Sequence, residues 1–411
     1  MPTVELINTG DELLLGFVVN THAAYMAQKL EPLDLEITRQ ACIGDNPAIL
    51  REAFSAAIAR ADIILATGGL GPTKDDLTRD VVAQLCGRKL LFDKDVMVAI
   101  ETRFAGRKFP DSIRVQAQVP EGARVLPNHH GTAPGLVLES KGKLIILLPG
   151  PPRELKPMFE EQVLPLLREK FSNRETREMR TMRVALLGES VIEEQVLDAT
   201  RGLKGLELGY CARMGEVDVR IVTRGKGAKA RADEAEKRVR AKLGAAIFGT
   251  ANDRLEEMVL RLLAGRKQTL ATAESCTGGA IAHRITNVSG SSQSFLGGVV
   301  CYSNAVKIAQ LGVRKETIAK HGAVSEETAR EMAEGVRKNL HTDHGIAVTG
   351  IAGPAGGSPD KPVGLVFIAV ATPKRTICER RVFALDRETF KFIASQTALD
   401  LLRRELSPKM L

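Results

Sequence analysis

Short apolar runs alternate with amphipathic stretches along the first 165 residues. Val4–Asn8, Leu35–Ile43, Asp62–Thr67 and Leu144–Leu148 have strand length, while Thr21–Leu30 and Pro47–Arg60 place apolar residues at helical spacing. Pro149-Gly150-Pro151-Pro152 closes the last run. Strands that alternate with helices predict a parallel sheet covered on both faces, an α/β domain. Over 168–183 the pattern changes. Arg168, Lys170, Arg174, Arg177, Arg180 and Arg183 outnumber three Glu and the apolar periodicity fades, which predicts a linker. Met182–Leu187 and Asp218–Thr223 then read as strands and Ala228–Leu243 as a basic helix, giving a small α+β unit. A third pattern starts at Asn252. Helices are predicted over Leu255–Leu263, Gly278–Thr286, Glu326–Leu340 and Thr389–Glu405. Strands are predicted over Thr269–Thr272, Phe295–Tyr302, Gly345–Thr349 and Gly364–Ala371, again an α/β order. The expected domains are 1–167, 168–250 and 251–411.

Composition narrows the classes. The chain has 411 residues, 44% hydrophobic and 26% charged, which is ordinary globular usage. At about 150 residues per domain, two or three domains are expected. Aromatics are only 4%, with no Trp, so stacking platforms for single-stranded nucleic acid are not expected. No apolar run approaches the ~20 residues of a membrane helix, and Met1–Gly10 reads as a strand rather than a signal peptide. The expectation is a cytoplasmic protein with no membrane partner. Six scattered cysteines without a CxxC pair predict reduced thiols, not disulfides or zinc. The net charge of +8 suits anionic ligands such as phosphorylated substrates. Gly225-Lys226-Gly227 reads as a solvated turn ahead of the charged helix rather than a nucleic-acid loop.

Two stretches carry chemistry. Thr67-Gly68-Gly69-Leu70-Gly71-Pro72-Thr73-Lys74-Asp75-Asp76 follows a strand directly. Gly68, Gly69 and Gly71 let backbone N–H groups approach an anion, and Asp75 and Asp76 put carboxylates beside it. Carboxylates next to phosphates commonly hold Mg²⁺. Thr9-Gly10-Asp11-Glu12 and Gly44-Asp45-Asn46 end two other strands, and in a parallel sheet all three loops meet at the carboxyl edge.

The second stretch is Thr272-Ala273-Glu274-Ser275-Cys276-Thr277-Gly278-Gly279, between a strand and a helix. A hydroxyl there faces a helix N-terminus whose free N–H groups can hold an oxyanion or phosphate. Serine needs a base. The candidate is Lys307, which can serve if burial lowers its pKa. Tyr302 could relay a proton or donate to the oxyanion, and Ser291-Ser292 offer a second hydroxyl. Cys276 is a competing nucleophile, with His283 as the partner it would require.

These residues resemble a known family. Gly68–Thr78, Gly10–Gly16 and Leu148–Phe159 look like the N-terminal signature of the competence/damage-inducible CinA family, whose fold is shared with molybdopterin-binding proteins. Ala273–Gly279, Phe295–Asn304, Leu311–Val313, His321–Ser325 and Val348–Pro354 look like its C-terminal domain. The resemblance implies three parts: a molybdopterin-binding-like parallel-sheet domain, a small α+β KH-type linker domain, and a C-terminal α/β deamidase domain.

It implies hydrolysis of the carboxamide of nicotinamide mononucleotide (NMN) to nicotinate mononucleotide and ammonia, with no cofactor expected. Ser275, Ser292, Tyr302, Lys307 and Thr349 would belong to that site, with Thr277, Gly278 and Gly279 lining it and Arg387 as a phosphate or carboxylate contact. Ser275 attack and a Ser292–Lys307 dyad stand as alternatives. For the first domain it implies metal-dependent cleavage of ADP-ribose in pyridine-nucleotide salvage, with Mg²⁺, Mn²⁺ or Co²⁺ held by Asp45 and Asp76, then Asp75 and Glu12. Asp76 is counted as catalytic there. The family's Asn-Arg-Lys-Gln-Ala stands here as Ile113-Arg114-Val115-Gln116-Ala117, without its lysine. The alternative is a domain that binds a nucleotide or pterin without turnover. A homodimer is implied as well.

Overall fold

The structure, a computed structural model, describes residues 2–171 and 176–407. The chain forms two compact units, 1–174 and 175–411.

The first unit is built on a six-stranded sheet. Val4–Thr9 lies between Ile37–Ile43 and Ile63–Thr67, and Lys143–Leu148 follows, all parallel. Every residue of Val4–Thr9 and Ile63–Thr67 is buried, as a sheet covered on both faces requires. Leu50 and Phe54 of helix Pro47–Arg60, with Val82 and Ile100 of two later helices, pack on one face. Met26 and Leu30 of His22–Leu30, with Leu155, Phe159 and Leu167, pack on the other. Gly135–Ser140 and Arg124–Leu126 extend the sheet antiparallel at one edge. Apolar periodicity did not single them out, because a hairpin strand against Lys143–Leu148 carries no helix to frame it.

In the second unit the residues after the first domain form an antiparallel sheet ordered Glu207–Arg213, Glu216–Arg224, Arg177–Ala185, Ile247–Gly249. Helices Glu189–Ala199 and Ala228–Leu243 cover it through Ile192, Val196, Ala235 and Val239. The linker expected over 168–183 is therefore mostly structured. Helix Leu164–Lys170 holds its start and strand Arg177–Ala185 its end, while Arg174 lies outside the described residues. The apolar periodicity fades there because arginines with partners replace apolar residues. Arg180 pairs with Glu178, Asp233 and Glu236, and buried Arg183 pairs with Asp218 at 2.6 Å. The segment Gly225-Lys226-Gly227 is a turn with both glycines at positive φ, and Arg231 donates to the Lys226 carbonyl.

The rest of the second unit is a five-stranded sheet ordered Phe295–Val300, Leu270–Glu274, His344–Gly350, Leu365–Ala371, Thr376–Val382. The first three strands run parallel and the last two antiparallel. Helices Arg387–Leu406, Leu255–Arg266 and Ala280–Thr286 cover one face, Glu326–Asn339 and Asn304–Leu311 the other. The middle sheet joins helix Arg387–Leu406 through Gln396, whose amide donates to Glu216 at 2.6 Å. Among the described residues no helix is long and apolar enough to cross a membrane.

Helix Glu326–Asn339 lies directly on Gly345, where a Cβ would meet the Ala333 carbonyl oxygen and, at 2.9 Å, the Arg337 Cβ. Gly345→Ala is expected to destabilise the second unit by about 1–3 kcal/mol, read as an earlier urea-unfolding transition. Gly265→Ala, in a helix and with open space around it, is expected to shift the transition the other way by about 0.5–1 kcal/mol.

Candidate functional site

At the carboxyl edge of the first sheet the three predicted loops converge. Glu12, Asp45, Asp75, Asp76 and glycines 68, 69 and 71 line one cavity of about 360 Å³. Asp45 accepts from the Asp11 N–H and its own N–H donates to the Asp11 carboxylate, both at 3.1 Å, which ties the first two loops together. Asp76 turns the third loop by accepting from the Thr73 N–H at 2.9 Å and from the Thr73 hydroxyl. Gly71 is needed here because a side chain would run into that carboxylate. Gly69 has φ +66°, and a Cβ there would run into the Thr78 hydroxyl.

Burial pushes the Asp45 carboxyl up, and the nearby charges of Asp11, Glu12 and Asp75 add to the effect. Asp75 is held below the ordinary carboxylate range by the hydrogen-bond donors of the turn that begins at Thr73. Two further residues line the cavity that the motif alone did not single out as site residues. Buried Glu154 accepts from Asn128 at 2.8 Å, and buried Gln116 keeps its amide oxygen without a partner. Among the described residues no group of three His, Cys, Asp or Glu forms a ready metal cage. The donor set is all oxygen and crowded with negative charge. It fits an ion such as Mg²⁺ that uses one or two carboxylates and takes its other ligands from phosphate and water.

In the second unit, Ser275 follows strand Leu270–Glu274 and its N–H donates to the Val348 carbonyl of the neighbouring strand at 2.9 Å. The parallel strand on the other side, Phe295–Val300, ends at the same edge, and the Cys301 N–H donates to the Glu274 carbonyl at 2.8 Å. Helix Asn304–Leu311 starts there, capped by the Ser303 side chain on the Val306 N–H. One turn along it, Lys307 points back into the protein. Its Nζ lies 3.0 Å from the Ser275 Oγ, 2.8 Å from the Cys301 carbonyl and 3.3 Å from the Tyr302 carbonyl. Lys307 is 1% exposed and Ser275 is 7% exposed.

Burial lowers the Lys307 pKa. The thiols beside it do not oppose this with charge, because burial pushes Cys276 up to about 12 and Cys301 up to about 11. The three contacts suit either form of the amine: an ammonium donates to all three oxygens, and a neutral amine donates to the two carbonyls and accepts from the Ser275 hydroxyl.

Several expectations change. Ser292 sits in the short turn Ser291–Gln293 before strand Phe295–Val300, at the end of the sheet opposite Lys307. Six residues at about 3.3 Å each separate the two ends, so no Ser292–Lys307 dyad forms. The Cys276 alternative also falls away. Its thiol is buried and neutral, and exposed His283 faces Asn287 at 3.2 Å. Nor are the N–H groups of helix Ala280–Thr286 free for an oxyanion. Buried Glu274 accepts from those of Gly279, Ile281 and Ala282 at 2.9–3.0 Å. Glu274 sits in the motif as an ordinary strand-end acid, and only the fold reveals it as the helix cap.

Thr349 donates to the Ala323 carbonyl at 2.8 Å, and the buried Thr277 hydroxyl has no partner. Tyr302 is exposed, and its hydroxyl accepts from Arg387 at 3.2 Å while Arg387 also donates to the Gly353 carbonyl. Lys391, one turn after Arg387 on the same helix face, reaches the loop at Gly278. The i, i+4 spacing from Arg387 was the signal that could have found it.

Three family models match the chain. They are the probable molybdopterin binding domain over 5–169, the damage-inducible protein CinA KH domain over 179–249 and the CinA C-terminal domain over 252–406. A CinA-like protein of Kosmotoga olearia is 42% identical over 409 residues, 98% of this chain and 99% of that one. A putative competence-damage inducible protein of Moorella thermoacetica is 45% identical over 408 residues, 98% of each. The crystal structure of a competence/damage inducible protein from Agrobacterium tumefaciens is 38% identical, covering 37% of this chain and 93% of that chain, with a TM-score of 0.36.

A serine beside a buried amine of lowered pKa is expected to react with an alkyl fluorophosphonate. Intact-mass analysis should find one adduct, absent in Ser275→Ala and at least about 100-fold slower in Lys307→Met, but still formed in Ser292→Ala. The labelling rate should rise with pH as Lys307 loses its proton, with an inflection below the ordinary lysine value.

Proposed function

The chain belongs to the CinA family, and on that premise we propose that its second unit is an NMN deamidase. The observation that carries this reading is the buried Lys307 amine 3.0 Å from the Ser275 hydroxyl. An amidase needs a nucleophile that attacks the carboxamide carbon and a base that takes the nucleophile's proton. In this reading Ser275 Oγ forms the bond to the carboxamide carbon while its proton passes to Lys307 Nζ. The tetrahedral centre collapses with cleavage of the C–N bond, and Lys307 returns the proton to the departing nitrogen, which leaves as ammonia. Water then attacks the Ser275 ester and gives its proton to Lys307. Collapse frees the carboxylic acid, which ionises by giving its proton to ammonia or solvent, and the Lys307 proton goes back to Ser275 Oγ. One water is consumed, one ammonia and one nicotinate mononucleotide are formed, and the enzyme is unchanged. The two carbonyls that accept from Lys307 leave its third position toward the serine, for a lone pair before the transfer and an N–H after it. Cytoplasmic pyridine-nucleotide salvage and a homodimer are part of the same proposal.

A second reading concerns the first unit, and the crowding of carboxylates around Asp45 favours it. We propose that its cavity takes the diphosphate of ADP-ribose with a divalent metal. Asp45 and Asp76 would hold the ion, with Glu12 and Asp75 beside them. When bound, such an ion polarises a phosphoryl oxygen and lowers the pKa of its water. The chain itself contributes a glycine loop that a phosphate can approach closely, and the hydrogen bonds that fix Asp45 and Asp76 in place.

Purified chain is expected to release ammonia from NMN without added metal. Ser275→Ala and Lys307→Ala should each lower kcat by about 100-fold or more. Absence of ammonia from folded protein would refute the deamidase reading. For the first unit, AMP should appear from ADP-ribose only with Mg²⁺, Mn²⁺ or Co²⁺, and Asp45→Asn or Asp76→Ala should abolish it. Binding of ADP-ribose by calorimetry without AMP would instead support a domain that binds without turnover.

A further inference from the structure

The five-stranded sheet of the second unit has an edge opposite Ser275, where strand His344–Gly350 begins and strand Leu365–Ala371 ends. The seven residues of His344–Gly350, at about 3.3 Å each, set that edge roughly 20 Å from the Ser275 end. A cleft of about 620 Å³ opens there between the end of helix Glu326–Asn339 and the turn 372–375. Arg337, Lys338, His341, Lys374 and Arg375 line it, and Glu334 is the one acid on its wall among the described residues.

The acids close by are engaged. Glu334 accepts from the Thr376 hydroxyl at 2.7 Å, and Glu405 takes Arg375 through both oxygens at 2.9 Å. The Asp343 carboxylate accepts from the Thr269 N–H and hydroxyl, and Arg337 meets only the Asp343 backbone carbonyl, at 3.0 Å. Among the described residues Arg337, Lys338 and Lys374 have no carboxylate within ion-pair distance. The carbonyl end of a helix favours cations, which accounts for Arg337 and Lys338. It does not account for Lys374 and Arg375, which a hairpin turn brings to the same cleft. Thr372 ties that turn, accepting from the Lys374 and Arg375 N–H groups at 3.2 and 3.0 Å and donating to the Arg375 carbonyl at 2.8 Å. His341, one residue past the helix cap Leu340, has φ +51°, the left-handed region that glycine ordinarily fills at this place. Cations gathered from two elements without matching carboxylates repel one another, and a ligand with several negative charges relieves the repulsion. No Phe or Tyr lines the cleft, so a base has no ring to stack on.

We propose that this cleft is a separate anion site that binds a chain of linked phosphates, either free polyphosphate or the triphosphate of a nucleotide. Lys338 and Lys374, one from each wall, supply point charges, and the Arg337 guanidinium supplies a fork of donors for phosphoryl oxygens. The site does not depend on the reaction at Ser275.

The test uses the full chain in metal-free buffer, with tripolyphosphate or ATP as the probe. Acetylation of individual lysines, read by peptide mass spectrometry, should slow at Lys338 and Lys374 and stay unchanged at exposed Lys315. The affinity obtained from protection of Lys338 should fall at least about tenfold in Lys374→Glu, with urea unfolding unaltered. Protection by both probes upholds the site. Tripolyphosphate at least as tight as ATP identifies free polyphosphate as the source, and tighter ATP identifies a nucleotide. Protection by ATP alone, or by a single-stranded oligonucleotide alone, would overturn the proposal, because linked phosphates would not be what the cleft reads. Absent protection, or protection that Lys374→Glu leaves unaltered, would overturn it as well.

Discussion

A lysine amine withdrawn from water is costly to keep charged, and Lys307 is withdrawn almost completely. The geometry around it answers that constraint. Two parallel strands end side by side, one delivering Ser275 and the other the Cys301 and Tyr302 carbonyls. Among the described residues no carboxylate pairs with the Lys307 amine, and the adjoining thiols are themselves kept neutral by burial. Burial shifts the balance toward the neutral amine, the form that can accept a proton. The strand pairing, the Ser303 cap and the turn between them all serve to hold this one contact.

The same edge shows how a carboxylate can change what a helix start does. A helix N-terminus ordinarily attracts anions. Here Glu274 and Asp386 satisfy those N–H groups from within the chain. Helix Arg387–Leu406 carries Arg387 and Lys391 one turn apart beside that edge. The middle sheet bears on this helix further along, through Gln396 and Glu216. The helix thus joins this edge to the packing of the second unit.

The first unit solves a different problem with similar means. Its cavity gathers carboxylates that repel one another, and the Asp45 pKa is raised first by burial and further by that repulsion. Hydrogen bonds from Asp11 and Thr73 fix the acids despite that repulsion. A buried amide oxygen of Gln116 is left without a donor at the same place. Each feature is unfavourable by itself and suits a site that expects a ligand bringing positive charge and hydrogen-bond donors.

Local pattern was enough for much of this. Helices Pro47–Arg60 and Ala228–Leu243 stand where apolar periodicity puts them, and the central strands of both α/β sheets differ by a residue or two at their ends. Ser275, Lys307 and the three acidic loops were legible because strand-end glycines, acids and hydroxyls at a parallel sheet edge carry a physical meaning without coordinates. The first half of strand Arg177–Ala185 was not legible, although Met182 onward read as a strand, since paired arginines occupy places that apolar residues would have marked. The choice between Ser275 and Ser292 was not legible either. Both lie within reach of Lys307 along the chain, and only the direction of strand Phe295–Val300 sends one to the lysine and the other to the far end. Glu274 as a cap and Lys391 as a neighbour of Gly278 depend on contacts between elements distant in sequence. Residue type and local spacing determined which groups could do chemistry; strand direction and helix packing decided which of them meet, because proximity in a fold is set by the sheet edge a loop leaves from and not by its distance along the chain.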